Sequence, residues 1–192
     1  MSFWHQGPVR HPLTSFPDPA VSDGRYHRRG ETGVWYASDR EQAAWAEMLR
    51  HFTDDGVDPF EIRRRIGRVR VVGLSVLDLT DFSVQHALGL TEADLIGDDY
   101  AATQAVAAAA RDVGFDGLLA PSAALAGRLT LVIFAPGQRA VSAELSRVCQ
   151  PPPRLADLGR AFRPHADMPA AVHAYLRSLF TAGSEVIRRN RS

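Results

Sequence analysis

Four side chains in this 192-residue sequence have the types and spacing to act on a nucleotide. Arg25 stands in Gly24-Arg25-Tyr26-His27, Tyr36 in Val34-Trp35-Tyr36-Ala37-Ser38 and Glu47 in Ala43-Ala44-Trp45-Ala46-Glu47. Ser122 follows far downstream, in Leu119-Ala120-Pro121-Ser122. An arginine brings a permanent planar cation that suits a diphosphate, and a tyrosine brings a face on which a base can stack. A carboxylate offsets the positive charge that develops on a ribose as its glycosidic bond breaks. A hydroxyl can fix a ribose or an amide. These are the parts needed to hold a dinucleotide and cleave it. Each has a plainer alternative: a solvated loop arginine, a strand-core tyrosine, a solvent-facing helix glutamate and a turn serine. Ser122 lacks a Gly-x-Ser-x-Gly elbow and is read as a hydrogen-bonding group, not a nucleophile.

These residues need rigid supports. Residues 6–32 are rich in Pro, Gly, Asp and Arg without an apolar period and read mostly as loop, a good location for ligand contacts. Val34 to Ala37 reads as a short strand of β-formers. Ser38-Asp39-Arg40-Glu41 has the form of a capping box. The helix after it carries Trp45, Met48, Leu49 and Phe52 on one buried stripe, with Glu47 off that stripe. A strand-turn-helix joint would therefore hold Tyr36 and Glu47. Val69 to Leu79 is the strongest strand signal. Helical pieces are expected near 82–88 and 91–97, with Thr91 to Asp94 a second capping box. An Ala-rich helix is expected over 100–113, ending at Gly114. Gly117 to Ala120 and Leu129 to Ala135 read as two further strands. Without regular βαβ alternation, the fold class is α+β, with mixed sheets and flanking helices.

Composition narrows the function. Apolar residues make up 45% and charged residues 23%, ordinary for a globular protein. The 22 basic residues, all Arg, balance 22 acidic ones, so no global field recruits nucleic acid or an anionic membrane. The absence of Lys excludes Schiff-base chemistry. One cysteine, Cys149, excludes an intrachain disulfide and a cysteine-based zinc cluster. The histidines show no metal-ligand spacing, and glycine-rich phosphate loops are missing. Neither a signal peptide nor a membrane-spanning stretch is visible, which reads as a cytoplasmic protein. Asp98 and Asp99 read as helix-start electrostatics, not a metal pair. The composition shifts near residue 136. A main domain over 1–137 is expected, with a helical extension over 138–192 that holds helices at 154–162 and 169–189.

With its motifs in this order, the chain resembles the RES-domain family, named for its Arg, Glu and Ser. The matching text includes the segments around Arg25, Tyr36 and Glu47, then Leu77-Asp78-Leu79-Thr80-Asp81, Leu88-Gly89-Leu90-Thr91 and Asp98-Asp99-Tyr100-Ala101-Ala102-Thr103. It closes with Gly114-Phe115-Asp116-Gly117-Leu118-Leu119-Ala120-Pro121-Ser122-Ala123, so that it spans roughly residues 20–136. The resemblance implies a fold related to ADP-ribosyltransferase toxins and NAD as a substrate, with no resident cofactor. It also implies a toxin restrained by an Xre-like antitoxin. Glu47, Arg25, Tyr36 and Ser122 would be catalytic, with Tyr26 and His5 joining Arg25, Tyr36 and Ser122 in binding NAD. The family's outcomes include hydrolysis of NAD, its phosphorolysis and ADP-ribosylation of a protein. A member that keeps the fold without turnover is the remaining alternative. The acceptor is left open between water, inorganic phosphate and a protein side chain. The 169–189 helix is a candidate for homo-oligomerisation within a toxin–antitoxin complex. One departure stands out. In Phe3-Trp4-His5-Gln6, His5 occupies the place of an arginine that the family usually carries, and Arg10, Arg28 or Arg29 are the expected substitutes for its charge.

Overall fold

Strand-forming runs and short amphipathic helices intermingle along the chain. The computed structural model describes residues 1–18, 20, 23–52, 61–150, 161–168, 170 and 174. In chain order the elements are β1 (Ser2–Pro8), β2 (Val34–Ser38), α1 (Glu41–Arg50), β3 (Arg64–Val71), β4 (Val76–Asp78), α2 (Phe82–Ala87), α3 (Glu92–Ile96), α4 (Ala101–Asp112), β5 (Gly117–Pro121) and β6 (Leu129–Phe134). A 3-10 helix (Ala135–Ala140) then leads into β7 (Val141–Cys149). The seven strands form one sheet in the order β4-β5-β6-β2-β1-β3-β7. Only β4 and β5 run parallel. The α+β class and the mixed sheet with flanking helices are both present.

Side-chain alternation divides the sheet into two faces. On one, Phe3, Trp35, Ala37, Val69, Leu131 and Ile133 pack together, with Leu13 of the N-terminal loop over them. On the other, α1 packs Trp45 and Leu49 against Ile66, and beside it α4 packs Ala107 and Ala110 against Leu118 and Val132. Burying Trp45 and Leu49 completely stabilises the joint by about 1.5–3 kcal/mol each. The strand pair that joins the two halves is thin, since β1 and β2 are in register only at Trp4 and Ser38. Beyond that point the sheet opens.

Several expectations are corrected. Ser2–Pro8, placed partly in a loop, is a full strand paired with β3 along its length. The run from Val69 to Leu79 is two strands, because Gly73 takes φ 72° and redirects the chain from β3 to the far edge of the sheet. Ser38 does not cap α1. It stays in β2, opposite Trp4 on one side and Thr130 on the other, and sheet pairing prevails over capping. The helix starts after Arg40 with no side-chain cap, while Glu41 accepts from Trp45 Nε1 at 3.3 Å and from Arg147. The Thr91–Asp94 capping box does form, with both of its bonds. Finally, β7 lies inside the expected helical extension. It is the outer strand of the sheet, paired with β3 from Val71 to Arg64. Val141, Ala143 and Leu145 do alternate with Ser142, Glu144 and Ser146, a strand signal passed over in the sequence, although as an edge strand it leaves six consecutive residues exposed. The helices expected at 154–162 and 169–189 lie, apart from isolated positions, outside the described residues.

Candidate active site

The opening between β1 and β2 continues into a cleft of about 810 Å³ beneath α1. Residues from β1, β2, α1, β3, β6 and the 23–27 loop line it. The loop is held rigidly. Gly24 and His27 exchange backbone hydrogen bonds, N–H to O, at 3.0 and 3.3 Å. A Cβ on Gly24 would stand 2.3 Å from His27 Cε1 and 3.0 Å from the Tyr36 hydroxyl, so this close approach requires glycine. Three side chains of α4 then fasten the loop from below. Thr103 Oγ1 donates to the Arg25 carbonyl at 2.7 Å, Gln104 Nε2 to the Gly24 carbonyl at 3.0 Å, and Arg111 Nη1 to the Tyr26 carbonyl at 3.1 Å.

Arg25 itself is 9% exposed, and its guanidinium stacks over the Tyr100 ring at 4.7 Å. Neither Nη1 nor Nη2 has a hydrogen-bond partner among the described residues. A buried cation without a partner is costly, and an anion entering the cleft would relieve that cost.

Glu47 reaches the same cleft from α1, its side chain 26% exposed. Burial alone would raise its pKa. The hydrogen bond from His51, together with the charges of His51, Arg50 and Arg25, outweighs burial and holds the group below the usual carboxylate range. His51 Nε2 donates to Glu47 Oε1 at 3.1 Å. Glu47 is therefore an anion at neutral pH, suited to stabilising a cation and unsuited to acid catalysis.

Tyr36 presents its ring to the cleft while its hydroxyl accepts the Tyr26 N–H and lies against His27 Nδ1, both at 3.3 Å. Burial pushes the phenol pKa far up, so it stays neutral. His5 fills the gap between β1 and β2, 4.4 Å from the Trp35 ring. Its Nδ1 lies 2.6 Å from the Tyr36 carbonyl, which can only accept, so the ring carries its proton on Nδ1. Burial, against the opposing effect of that hydrogen bond and with help from the nearby Arg64 charge, lowers its pKa from 6.5 to about 4. The neutral ring has no second N–H, and Nε2 can only accept. His5 thus cannot donate to a phosphate in the way an arginine would.

The structure brings Arg25, Tyr36, Glu47 and His5 to one cleft and places two other candidates elsewhere. Ser122 is 1% exposed and does not line it; its Oγ accepts the Leu125 N–H at 3.1 Å across a turn. Tyr26 is 1% exposed in the core beside α4 and does not line the cleft; its backbone N–H bonds the Tyr36 hydroxyl and its ring lies 6.3 Å from the Tyr36 ring. Of Arg10, Arg28 and Arg29, none lines the cleft, whereas Arg64 does.

Sequence reasoning missed Ser38, Thr130, His51, Arg64 and Tyr100 as lining residues. Period-two alternation from Tyr36 places Ser38 on the same face, and a helical i, i+4 step links Glu47 to His51; these two signals were legible. Thr130 is there because it pairs with Ser38, which only the register reveals. Asp99 does accept the Ala101 N–H at the start of α4, at 2.9 Å, but Asp98 pairs with the buried Arg50.

The RES domain profile matches residues 2–156, and the chain belongs to the RES-domain family. The chain is 58% identical over 190 residues to a probable NAD(+) phosphorylase of Mycobacterium tuberculosis, an alignment covering 99% of this chain and 91% of that protein. It is 35% identical over 107 residues to the NAD(+) phosphorylase MbcT of Mycobacterium bovis, covering 54% and 56% of the two chains. Among solved structures, the MbcT–MbcA toxin–antitoxin complex of M. tuberculosis matches with a TM-score of 0.69 at 26% identity. That match covers 82% of this chain and 87% of the other. No helix among the described residues is long and apolar enough to cross a membrane.

Proposed function

We propose that this chain cleaves the nicotinamide–ribose bond of NAD and transfers the ADP-ribosyl group to inorganic phosphate. The observation that carries this reading is the buried guanidinium of Arg25, whose Nη1 and Nη2 have no hydrogen-bond partner among the described residues, in the same cleft as the ionised Glu47. The names of the relatives favour phosphate over water as acceptor.

In this mechanism Arg25 takes the dinucleotide's diphosphate and the Tyr36 ring takes the nicotinamide face. The C1″–N bond breaks with its electron pair passing to the pyridinium nitrogen, so nicotinamide leaves neutral and needs no general acid. The Glu47 carboxylate stabilises the oxocarbenium-like ribosyl cation. An oxygen of hydrogen phosphate then forms the new bond to C1″, giving ADP-ribose 1″-phosphate. His5 Nε2 accepts a hydrogen bond from the bound substrate. Tyr26 acts through its N–H on Tyr36, and Ser122 by fixing the turn that packs Ala124 and Leu125 against α1. NAD enters as substrate, and no other cofactor takes part. A neutral enzyme that consumes cytoplasmic NAD needs restraint, and an Xre-like antitoxin that occludes the cleft provides it.

The test is incubation with NAD and phosphate, read by chromatography. Nicotinamide and ADP-ribose 1″-phosphate should appear together, and Glu47→Gln should slow their release at least about tenfold, or roughly 1.4 kcal/mol of transition-state stabilisation, while the variant still folds. Intact NAD with the wild-type protein, or a fully active Gln variant, would refute this assignment. Expression without an antitoxin should arrest growth, and the same substitution should remove the arrest.

A further inference from the structure

Besides Arg25 the cleft holds another arginine, Arg64, which pairs with no carboxylate among the described residues. Arg64 opens β3 opposite Pro8 of β1, on the same sheet face as Trp4 and Gln6. Its Nε donates to Gln6 Oε1 at 2.8 Å, which fixes the plane of the guanidinium and leaves the Nη groups without a hydrogen-bond partner among the described residues. Other arginines contrast with it. Arg68, Arg111, Arg128 and Arg147 each pair with a carboxylate. The carboxylates lining the cleft are engaged elsewhere: Asp18 accepts from the Ala20 N–H, Asp23 from the Arg29 N–H and Glu47 from His51. His5, beside Arg64, is neutral and adds no charge. Partial burial lowers the pKa of the half-buried Arg64, and no carboxylate offsets that shift.

We propose that Arg64, held in place by Gln6, is a second phosphate-binding residue of this cleft, separate from Arg25. The proposal rests on the reading of the cleft as an NAD site. A planar guanidinium with its Nε occupied still offers its Nη N–H groups to phosphoryl oxygens. The phosphate group it takes belongs either to the dinucleotide's diphosphate or to the free phosphate acceptor, and the two sources give different kinetics.

The experiment measures nicotinamide release with NAD and inorganic phosphate varied independently, for the wild type, Arg64→Gln, Arg64→Lys and Gln6→Glu. The Glu substitution leaves Arg64 intact but pairs it with a carboxylate. Losing a charge-assisted contact should raise one KM at least about tenfold. The turnover rate at saturation should change far less, and Arg64→Lys should fall between Gln and wild type. A rise confined to the NAD KM assigns Arg64 to the diphosphate, and one confined to the phosphate KM assigns it to the acceptor. Unchanged KM values for folded Arg64→Gln and Gln6→Glu variants of an active enzyme overturn the proposal. Calorimetric titration with inorganic pyrophosphate separates this from failure of the NAD reading. If the wild type releases no nicotinamide but binds pyrophosphate, and Arg64→Gln binds it at least about tenfold more weakly, the subsite stands while the NAD reading falls. If the two bind it equally, or neither binds, the subsite falls as well.

Discussion

Replacing His5 by Asn tests the placement of the imidazole directly. The Asn amide N–H can occupy the position of Nδ1–H and keep the bond to the Tyr36 carbonyl, but Asn does not titrate. The native ring titrates near pH 4, against 6.5 in the unfolded chain. Between these values the unfolded state binds the proton more readily, so stability is full above about pH 6.5 and is lost as pH falls toward 4. A displacement of this size corresponds to roughly 3 kcal/mol in full, of which about 2 kcal/mol is lost between pH 7 and 4.5. Every carboxylate that titrates in the same range is common to both proteins. The difference between their two pH profiles therefore isolates His5. The assay is urea unfolding at the two pH values, with the wild-type stability expected to fall by about 2 kcal/mol more than that of His5→Asn. Parallel profiles would mean that the ring is solvated or already protonated. They would also remove the argument that His5 cannot donate to a phosphate and that Arg64 supplies the charge instead.

Two further substitutions probe how the site is supported. Gly24→Ala puts a methyl group 2.3 Å from His27 Cε1, so the ring must move and release Tyr36; a loss of about 1–3 kcal/mol in stability and a higher KM for NAD are expected, by thermal melting and nicotinamide release. Unchanged kinetics would show that Tyr36 does not depend on this packing. Ser122→Ala removes the acceptor for a buried N–H and should cost about 1–3 kcal/mol in stability while leaving the KM for NAD within about twofold. A rise well beyond that would put the Ser122 hydroxyl in contact with substrate.

Local pattern alone determined much of the frame. The stripe of Trp45, Met48, Leu49 and Phe52 is buried as its helical period requires, β2 and β6 form where β-formers cluster, and Thr91 and Asp94 close a capping box within four residues. These features depend on contacts between neighbours in sequence, so periodicity and side-chain chemistry suffice to place them. The RES motifs likewise singled out Arg25, Tyr36 and Glu47, which the fold gathers into one cleft.

Tertiary structure decided what depends on distant partners. Ser2–Pro8 and Val141–Cys149 are strands because β3 lies between them and satisfies their backbone groups, and Ser2–Pro8 carries no apolar alternation of its own. A loop arginine becomes a rigid, buried cation because Thr103, Gln104 and Arg111 grip the carbonyls around it from a helix about eighty residues away. Ser122, in the expected site by motif, is turned into a local hydrogen bond, while Arg64, one of many arginines by sequence, is carried into the cleft by strand register. The physical reason is the same in each case: hydrogen bonding and desolvation are satisfied by whatever lies nearby in space, and strand pairing across the fold determines what that is.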